Sequence, residues 1–363
     1  MVDGREAEQN KTMKRILLII NCIMLAIGFS CGPLVTRLYF LHGGNLIWLS
    51  CFLQTATFPI ILLPLSISYF YRSRNRNRNL SERINLKIFS IKPPLFVAFA
   101  MIGMFSGLNS YLYSTGVATL PVSTSTLVMA TQLVFIAIFS FILVRQKFTA
   151  YSVNAIVLLS IGLGIMGLHT RGDLPEHESP KQYVLGFVMT IVCAAVGGFI
   201  FPMMELMFRK NNQAITYSLM LEIQFIVCFF ATLACTFGII ISNDFKAIPV
   251  EARDFELGEA NYYVVLVVIS IVWQIYYMGS MGVTICGSSL LSGIITAMMM
   301  PIIEILAIIF YKENFQVEKG VSLVLSLWGF GSYFYGEFKQ AKLVKRTHIP
   351  EIEHPLNPSF PSP

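Results

Sequence analysis

Ten apolar runs of roughly 20–28 residues follow one another along the chain, and they constrain its fold more than any other feature. A helix of about 20 residues spans the hydrocarbon core of a bilayer, and lipid offers no partners to unpaired backbone groups. Charged residues make up only 13% of the sequence, against about 25% in soluble domains. The sequence therefore predicts an all-α polytopic membrane protein embedded in the lipid bilayer. The predicted spans are residues 15–40, 46–70, 95–118, 121–144, 150–169, 183–208, 214–241, 261–283, 286–311 and 318–338.

Basic residues are distributed unevenly between the connections. Nineteen of the 26 Lys and Arg residues fall in segments that alternation of the spans places on one side of the membrane, and seven of these lie in 72–92. The positive-inside rule then puts both termini in the cytosol. The 72–92 stretch could bind nucleic acid, but an adjacent anionic leaflet explains it more simply, so no nucleic-acid partner is expected.

An internal repeat relates the two halves of the chain. Residues 123–167 match residues 290–334 at a shift of 167 without a gap, and weaker matches occur at shifts of 169 and 170. Paired residues are Ser125 with Ser292, Arg145 with Lys312, Gly28 with Gly197, Pro33 with Pro202, and Gln54 with Gln224. Five helices per half is an odd number, so the second half must be inverted, which is typical of secondary transporters.

The repeat defines the predicted organisation of the chain. It comprises a cytosolic N-terminal segment (1–14), a first five-helix repeat (15–169), an extracytosolic loop (170–182), a second five-helix repeat (183–338) and a partly disordered cytosolic tail (339–363).

Four stretches carry a resemblance to a known family: GPLVTRLYFLHGG (32–44), IWLSCFLQTATFPIILLPL (47–65), GLNSYLYSTGVATLPVSTSTLVMATQLVFIAIFSFILVRQKFT (107–149) and EKGVSLVLSLWGFGSYFYGEFK (318–339). In them the chain resembles the plant purine permeases, a branch of the drug/metabolite transporter superfamily. The resemblance implies ten helices in two groups of five. It also implies proton-coupled uptake of adenine, cytokinin bases and similar N-heterocycles, commonly at the plasma membrane. There are two alternatives. The protein carries alkaloids or vitamin B6-type rings on the same scaffold, or it is a receptor that binds cytokinin without transporting it.

Polar residues in spans three and four are the first candidate ligands. Gln132 lies near the centre of its span, where an unpaired amide would cost several kcal/mol, about 2–7, so it must face the bundle. It either makes an interhelical hydrogen bond or binds the edge of a purine, whose adjacent acceptor and donor match an amide. Ser106, Asn109 and Tyr113 share one face of span three and are either a packing seam or further ligand contacts.

Two aromatic residues of span eight form the opposite wall. Trp273 and Tyr276 are one turn apart, and Trp273 is too deep for an interfacial belt. Core packing and stacking on a flat ring are equally consistent with this position; stacking contributes about 1–3 kcal/mol per base. At the shift of 167, Trp273 corresponds to Ser106 and Tyr276 to Asn109.

Ionisable side chains inside the spans are few. Glu222 and Glu304 are candidates for the coupling proton, because an intramembrane carboxyl group is by default functional. The alternatives are a ligand contact for Glu222 and, for Glu304, which is nearer the outer end of its span, a capping or pairing role there. Arg37 and Glu205 lie near span ends and are expected to extend to the lipid headgroups. No Lys or Arg lies at mid-depth in a span, so the substrate should be neutral or cationic rather than phosphorylated. No catalytic motif, Cys/His metal spacing or cofactor site is recognisable, and no obligate protein partner is evident.

Overall fold

The computed structural model describes residues 2–76, 93–129, 131–145, 150–168, 180–210 and 217–312, with scattered residues from 317 to 339. The described residues form helices joined by short turns, and no strand lies among them. Most of the predicted loop 170–182 and nearly all of the predicted tail 339–363 lie outside these residues. The α-helices are α1 (Val2–Leu41), α2 (Ile47–Thr55), α3 (Phe58–Arg76), α4 (Pro93–Thr119), α5 (Val122–Met129), α6 (Gln132–Phe139), α7 (Ala150–Leu168), α8 (Pro180–Lys210), α9 (Tyr217–Ser242), α10 (Asp244–Asp254), α11 (Glu259–Cys286) and α12 (Ser289–Tyr311).

The all-α membrane fold is confirmed. Six helical segments in the described part of the chain are long and apolar enough to cross a bilayer. They are Arg15–Leu41, Ile47–Ile67, Pro93–Thr119, Lys181–Lys210, Leu219–Ser242 and Glu259–Cys286. A seventh crossing is formed if Ser289–Met300 and Ile305–Tyr311, which meet at a bend of 42°, are one span. The count of ten spans and the inverted repeat stay predictions.

Helices α4 and α8 form a closely packed antiparallel pair. The rings of Phe99 and Phe208 are 5.6 Å apart near one end of the pair. Near the other end, a Cβ placed on Gly116 would lie 2.2 Å from Oγ1 of Thr190. Small residues allow membrane helices to approach this closely, so the two helices provide a rigid frame for whatever lies between their ends.

Helices α1 and α11 form a second close pair. A Cβ on Gly28 would lie 2.4 Å from the backbone nitrogen of Tyr276, and one on Gly279 would lie 2.3 Å from that of Leu25. Only glycine fits where two helix backbones approach so closely. This contact holds α11 against α1 and thereby fixes the direction of the α11 aromatic residues.

The predicted fourth span is divided in the structure. Helix α5 ends at Met129, α6 begins at Gln132, and a π-helical turn follows at Ser140–Val144. The backbone N–H of Thr131 donates to the Val128 carbonyl at 3.1 Å, and its hydroxyl donates to the same oxygen at 2.7 Å. Thr131 keeps right-handed helical dihedral angles, φ −65° and ψ −17°, so the bond three residues back is a tighter helical turn. The break places Gln132 on the first turn of α6.

A short amphipathic helix, α10, occupies the connection between α9 and α11, where no helix was predicted. Its buried Glu251 accepts hydrogen bonds from the hydroxyl groups of Tyr39 at 2.5 Å and Tyr262 at 3.0 Å, and from the backbone N–H of Asn45 at 2.9 Å. The carboxylate thus joins α10 to the end of α1 and the start of α11.

Glu251→Ala should lower the free energy of unfolding by about 2–4 kcal/mol, because it leaves two phenols and a backbone N–H without their acceptor. The measurement is the thermal unfolding midpoint of the purified protein in detergent. Glu256→Ala is the matched control, because Glu256 is exposed and only its backbone N–H is bonded, to His42. Equal midpoints for the two variants would contradict a stabilising role for Glu251.

Arg37 and Glu205 do not extend to the headgroups as expected. Arg37 is 8% exposed and Glu205 is 5% exposed. Each binds backbone groups of another helix at the end of the bundle. The sequence expectation was wrong because depth along a span does not reveal whether a neighbouring helix end lies within reach.

Candidate functional site

A central cavity of about 710 Å³, including its opening, lies between helices α1, α2, α4, α6, α8, α9 and α11. No Lys, Arg, Asp or Glu side chain is among the described residues that line it. Its polar residues are Gln54, Ser106, Asn109, Ser110, Gln132, Gln224 and Ser280, and its aromatic residues are Phe29, Tyr113, Phe201, Trp273, Tyr276 and Tyr277.

All six residues that sequence analysis selected as substrate contacts line this one cavity. Ser106, Asn109 and Tyr113 come from α4, Gln132 comes from α6, and Trp273 and Tyr276 come from α11. These helices are separated in sequence, so the packing of α4 against α8 and of α11 against α1 brings the residues together.

Two side-chain amides converge at Gly197 of α8. The point where a Cβ of Gly197 would lie is 2.9 Å from Nε2 of Gln132 and 3.7 Å from Nδ2 of Asn109. The thiol of Cys193 donates to Oδ1 of Asn109 at 3.4 Å, which leaves the NH₂ group of Asn109 on the side of Gly197. Among the described residues no hydrogen-bond partner contacts the Gln132 amide, although Gln132 is buried. The two amides therefore form a neutral donor and acceptor surface, here called the amide pair.

Three aromatic residues of α4 and α11, namely Tyr113, Trp273 and Tyr276, form another part of the lining, here called the aromatic wall. The indole N–H of Trp273 donates to Oγ1 of Thr36 at 3.1 Å, and this bond fixes the ring. The rings of Tyr113 and Tyr276 meet Trp273 edge to face, with centroids 5.0 Å and 5.3 Å away. The Tyr113 hydroxyl is buried, and nothing in the described part of the chain forms a hydrogen bond with it. A buried hydroxyl without a partner is costly, and Tyr113 is one of the residues that line the cavity.

Two further amides line the cavity and were not selected from the sequence. Nε2 of Gln54 donates to Oγ of Ser114 at 2.7 Å, and Nε2 of Gln224 donates to Sγ of Cys228 at 3.0 Å. Gln54 and Gln224 are paired by the internal repeat at a shift of 170, and that pairing was the signal that could have identified them.

The candidate proton-coupling residues lie outside this set. Glu222 of α9 is 5% exposed but does not line the cavity, because it is two residues from Gln224 and points to another side of the helix. Glu304 belongs to α12, and its side chain lies outside the described residues. Among the residues that the structure describes, no cluster of His, Cys, Asp or Glu could hold a metal ion.

Comparison with known proteins identifies the family. A family model for purine nucleobase transmembrane transport matches residues 16–343, which is most of the chain. The chain belongs to the purine permease family. It is 48% identical to purine permease 3 of Arabidopsis thaliana over 97% of this chain and 99% of that protein. It is 46% identical to purine permease 2 of the same plant, over 92% and 95% of the two chains. Purine permeases are transporters, so the protein is a multi-pass membrane transporter and not an enzyme.

A solved crystal structure shares the fold of this purine permease. The TM-score is 0.53 at 15% sequence identity, and the match covers 93% of this chain and 99% of that chain. At this identity the likeness concerns the arrangement of helices alone.

Proposed function

We propose that the protein imports purine bases such as adenine, together with cytokinins or similar N-heterocycles, by proton-coupled alternating access. The observation that carries the proposal is the amide pair and the aromatic wall in one cavity whose described lining has no charged residue. Side-chain amides suit the adjacent acceptor and donor of adenine, and aromatic rings suit its flat faces. A phosphorylated substrate would need compensating cations, and the described lining has none.

The proposed architecture is ten helices in two inverted five-helix repeats. Arg145 and Lys312, which the repeat pairs, both end their helices with left-handed backbone, at φ 54° and 52°. Pro33 and Pro202, another repeat pair, both lie inside helices, in α1 and α8. These coincidences support the repeat. The arrangement also places the cavity between the halves, which is where inverted-repeat transporters bind their substrates. Both termini are proposed to be cytosolic, and the location to be the plasma membrane.

Uptake of labelled adenine into proteoliposomes tests the function. If one proton accompanies each base, a pH difference of one unit, acidic outside, supports about tenfold accumulation. A protonophore should remove it. Adenine binding without accumulation would indicate a receptor, and competition by alkaloids or vitamin B6 but not by adenine would indicate another heterocycle. Accumulation that is independent of both the pH difference and the protonophore would contradict proton coupling.

Glu222→Gln tests whether this buried carboxyl group carries the coupling proton. Because glutamine cannot exchange a proton, the variant should lose pH-driven accumulation of adenine and retain exchange of internal for external adenine. Glu259→Gln, an exposed residue at the start of α11, is the control and should behave as wild type. Normal pH-driven accumulation by Glu222→Gln would place the proton site elsewhere, with Glu304 the next residue to test.

Tyr113→Phe should affect stability and binding in opposite directions. Removing a buried, unpaired hydroxyl relieves a cost of about 1–3 kcal/mol, so the ligand-free protein should unfold at a higher temperature. If the hydroxyl bonds the base, affinity for adenine should fall about two- to tenfold, as expected for one net hydrogen bond. Tyr276→Phe provides the comparison within the same wall. A lower unfolding temperature for Tyr113→Phe would show that the hydroxyl stabilises the protein instead of meeting the substrate.

A further inference from the structure

The buried guanidinium group of Arg37 joins α1 to the C-terminal end of α4. Nη1 of Arg37, in α1, donates to the backbone carbonyls of Val117 at 2.8 Å and Ala118 at 3.0 Å. These carbonyls belong to the last turn of α4, where backbone oxygens have no partner within the helix. The negative end of the helix dipole also favours a cation there. This contact is here called the Arg37 latch.

One buried anion makes a complementary contact at the start of α12. The carboxylate of Glu205, in α8, accepts hydrogen bonds from the backbone N–H of Ser289 at 2.9 Å and from the Ser289 hydroxyl. A carboxylate at a helix N-terminus satisfies an unpaired donor and suits the positive end of the dipole. Arg209, one turn along α8 and 57% exposed at its side chain, contacts the same carboxylate at 2.6 Å. The bond between Glu205 and Ser289 is here called the Glu205 latch.

The two latches lie on opposite sides of the amide pair. Asn109 of α4 and Gly197 of α8 meet at one level in an antiparallel pair of helices. Val117 is eight residues after Asn109, and Glu205 is eight residues after Gly197. At 1.5 Å per residue, each latch is about 12 Å from the amide pair, in opposite directions. Both latches are formed in this structure, one toward each end of the α4 and α8 pair.

Each latch lies next to a place where its helix can bend. Arg37 follows Pro33 by one turn in α1, and Glu205 follows Pro202 by almost one turn in α8. Proline removes one backbone hydrogen bond of the helix, so bending concentrates there. If α8 bends away from α12, Arg209 can stay with Glu205 and neutralise its charge, because the two residues are on the same helix face.

We propose that the Arg37 latch and the Glu205 latch are the two gates of alternating access and open one at a time. This inference rests on the proposed function only in that the substrate crosses between them. With both termini in the cytosol, the Arg37 latch faces outside and the Glu205 latch faces the cytosol. Opening either latch replaces backbone partners by water, so a buried charge is never left unpaired while its gate is open.

Hydrogen exchange of the full-length protein in nanodiscs tests the gates directly. Arg37→Met should make peptides covering 32–42 and 112–122 exchange about tenfold faster and leave 200–208 and 286–294 unchanged. Glu205→Met should give the reverse pattern. Both variants should bind adenine and lose net uptake into proteoliposomes by about tenfold. Arg253→Met and Glu256→Met, both at exposed positions, are the matched controls and should change neither measurement.

Faster exchange at both ends in either variant, unchanged exchange in both, or wild-type net uptake would each overturn the gate assignment. If a methionine variant does not fold, Arg37→Lys and Glu205→Gln provide the same comparison, with a smaller acceleration expected at the same end. The exchange pattern does not depend on the substrate. If the wild-type protein fails to accumulate adenine, the proposed function fails while the assignment of the two gates can still be confirmed or refuted.

Discussion

Gly197→Ala is expected to lower net uptake of adenine strongly while the protein stays folded. The added methyl group would lie 2.9 Å from Nε2 of Gln132, so the amide must move away, and as the end of a flexible side chain it can. Alanine is the better helix former by about 1 kcal/mol, so α8 itself is not weakened. The substitution therefore removes the space within the amide pair and leaves the bundle intact. We expect uptake to fall at least about tenfold, which corresponds to 1.4 kcal/mol.

Two neighbouring tests separate this effect from a general intolerance of alanine. A Cβ on Gly198 would lie 2.4 Å from Cβ of Phe135 and 3.0 Å from the backbone nitrogen of Ile136, so Gly198→Ala should lower the unfolding temperature. In the part of the chain that the structure describes, nothing lies within 4 Å of such a Cβ on Gly331, so Gly331→Ala should change neither uptake nor stability. Initial uptake rates and unfolding temperatures of all three variants show whether the loss of uptake is specific to Gly197→Ala. If Gly197→Ala took up adenine at the wild-type rate, the amide pair would not be part of the substrate site.

Gln132→Leu is expected to reduce affinity for adenine roughly 5- to 150-fold. An amide that pairs with both hydrogen-bonding groups of a base contributes about 1–3 kcal/mol to discrimination, and leucine keeps most of the volume without the polar groups. The folded protein should not suffer, because no residue in the described part of the chain forms a hydrogen bond with the amide. Asn109→Leu should weaken binding as well, but it also removes the acceptor of the Cys193 thiol and should lower stability slightly.

Gln274 provides the matched control for Gln132. It is a buried glutamine of α11 whose Oε1 accepts a hydrogen bond from the Thr57 hydroxyl at 2.8 Å, and it does not line the cavity. Its buried Nε2 has no partner among the described residues, so Gln274→Leu loses one hydrogen bond, relieves one unpaired donor and should change stability little. Adenine affinity should stay unchanged, in contrast to Gln132→Leu. Equilibrium binding of labelled adenine to the purified proteins measures the affinity of both variants. Equal affinity in the wild type and Gln132→Leu would mean that Gln132 serves only helix packing.

The uncharged lining limits what the cavity can select. A neutral base can exchange its hydrogen bonds with water for bonds to amides and hydroxyl groups, whereas an anion would lose its hydration without gaining a cation. Gln54 and Gln224 extend the amide surface to α2 and α9, one from each proposed half of the chain. Movement between the halves would therefore alter the amide groups around the substrate, which links binding to the change of access.

Depth and helical spacing were sufficient to identify much of the site. Gln132 was selected because an amide in hydrocarbon must face protein, and Trp273 because its depth is wrong for an interfacial ring. Both line the cavity. Gln224 was passed over because the choice concentrated on the carboxyl group of Glu222, two residues away. A sequence shows that these two side chains leave the helix in different directions, but not which direction leads to the cavity.

By itself the sequence determined that this protein is an all-helical membrane protein with polar residues that must face inward. These properties follow from the length of apolar runs and from the lack of backbone partners in lipid, and both act locally along the chain. Only the tertiary structure decided where the fourth predicted span breaks and what Arg37 and Glu205 bind. Their partners, Val117 and Ser289, are 80 and 84 residues away in the sequence. Contacts over such separations depend on how whole helices pack, and no local pattern of residue types encodes them.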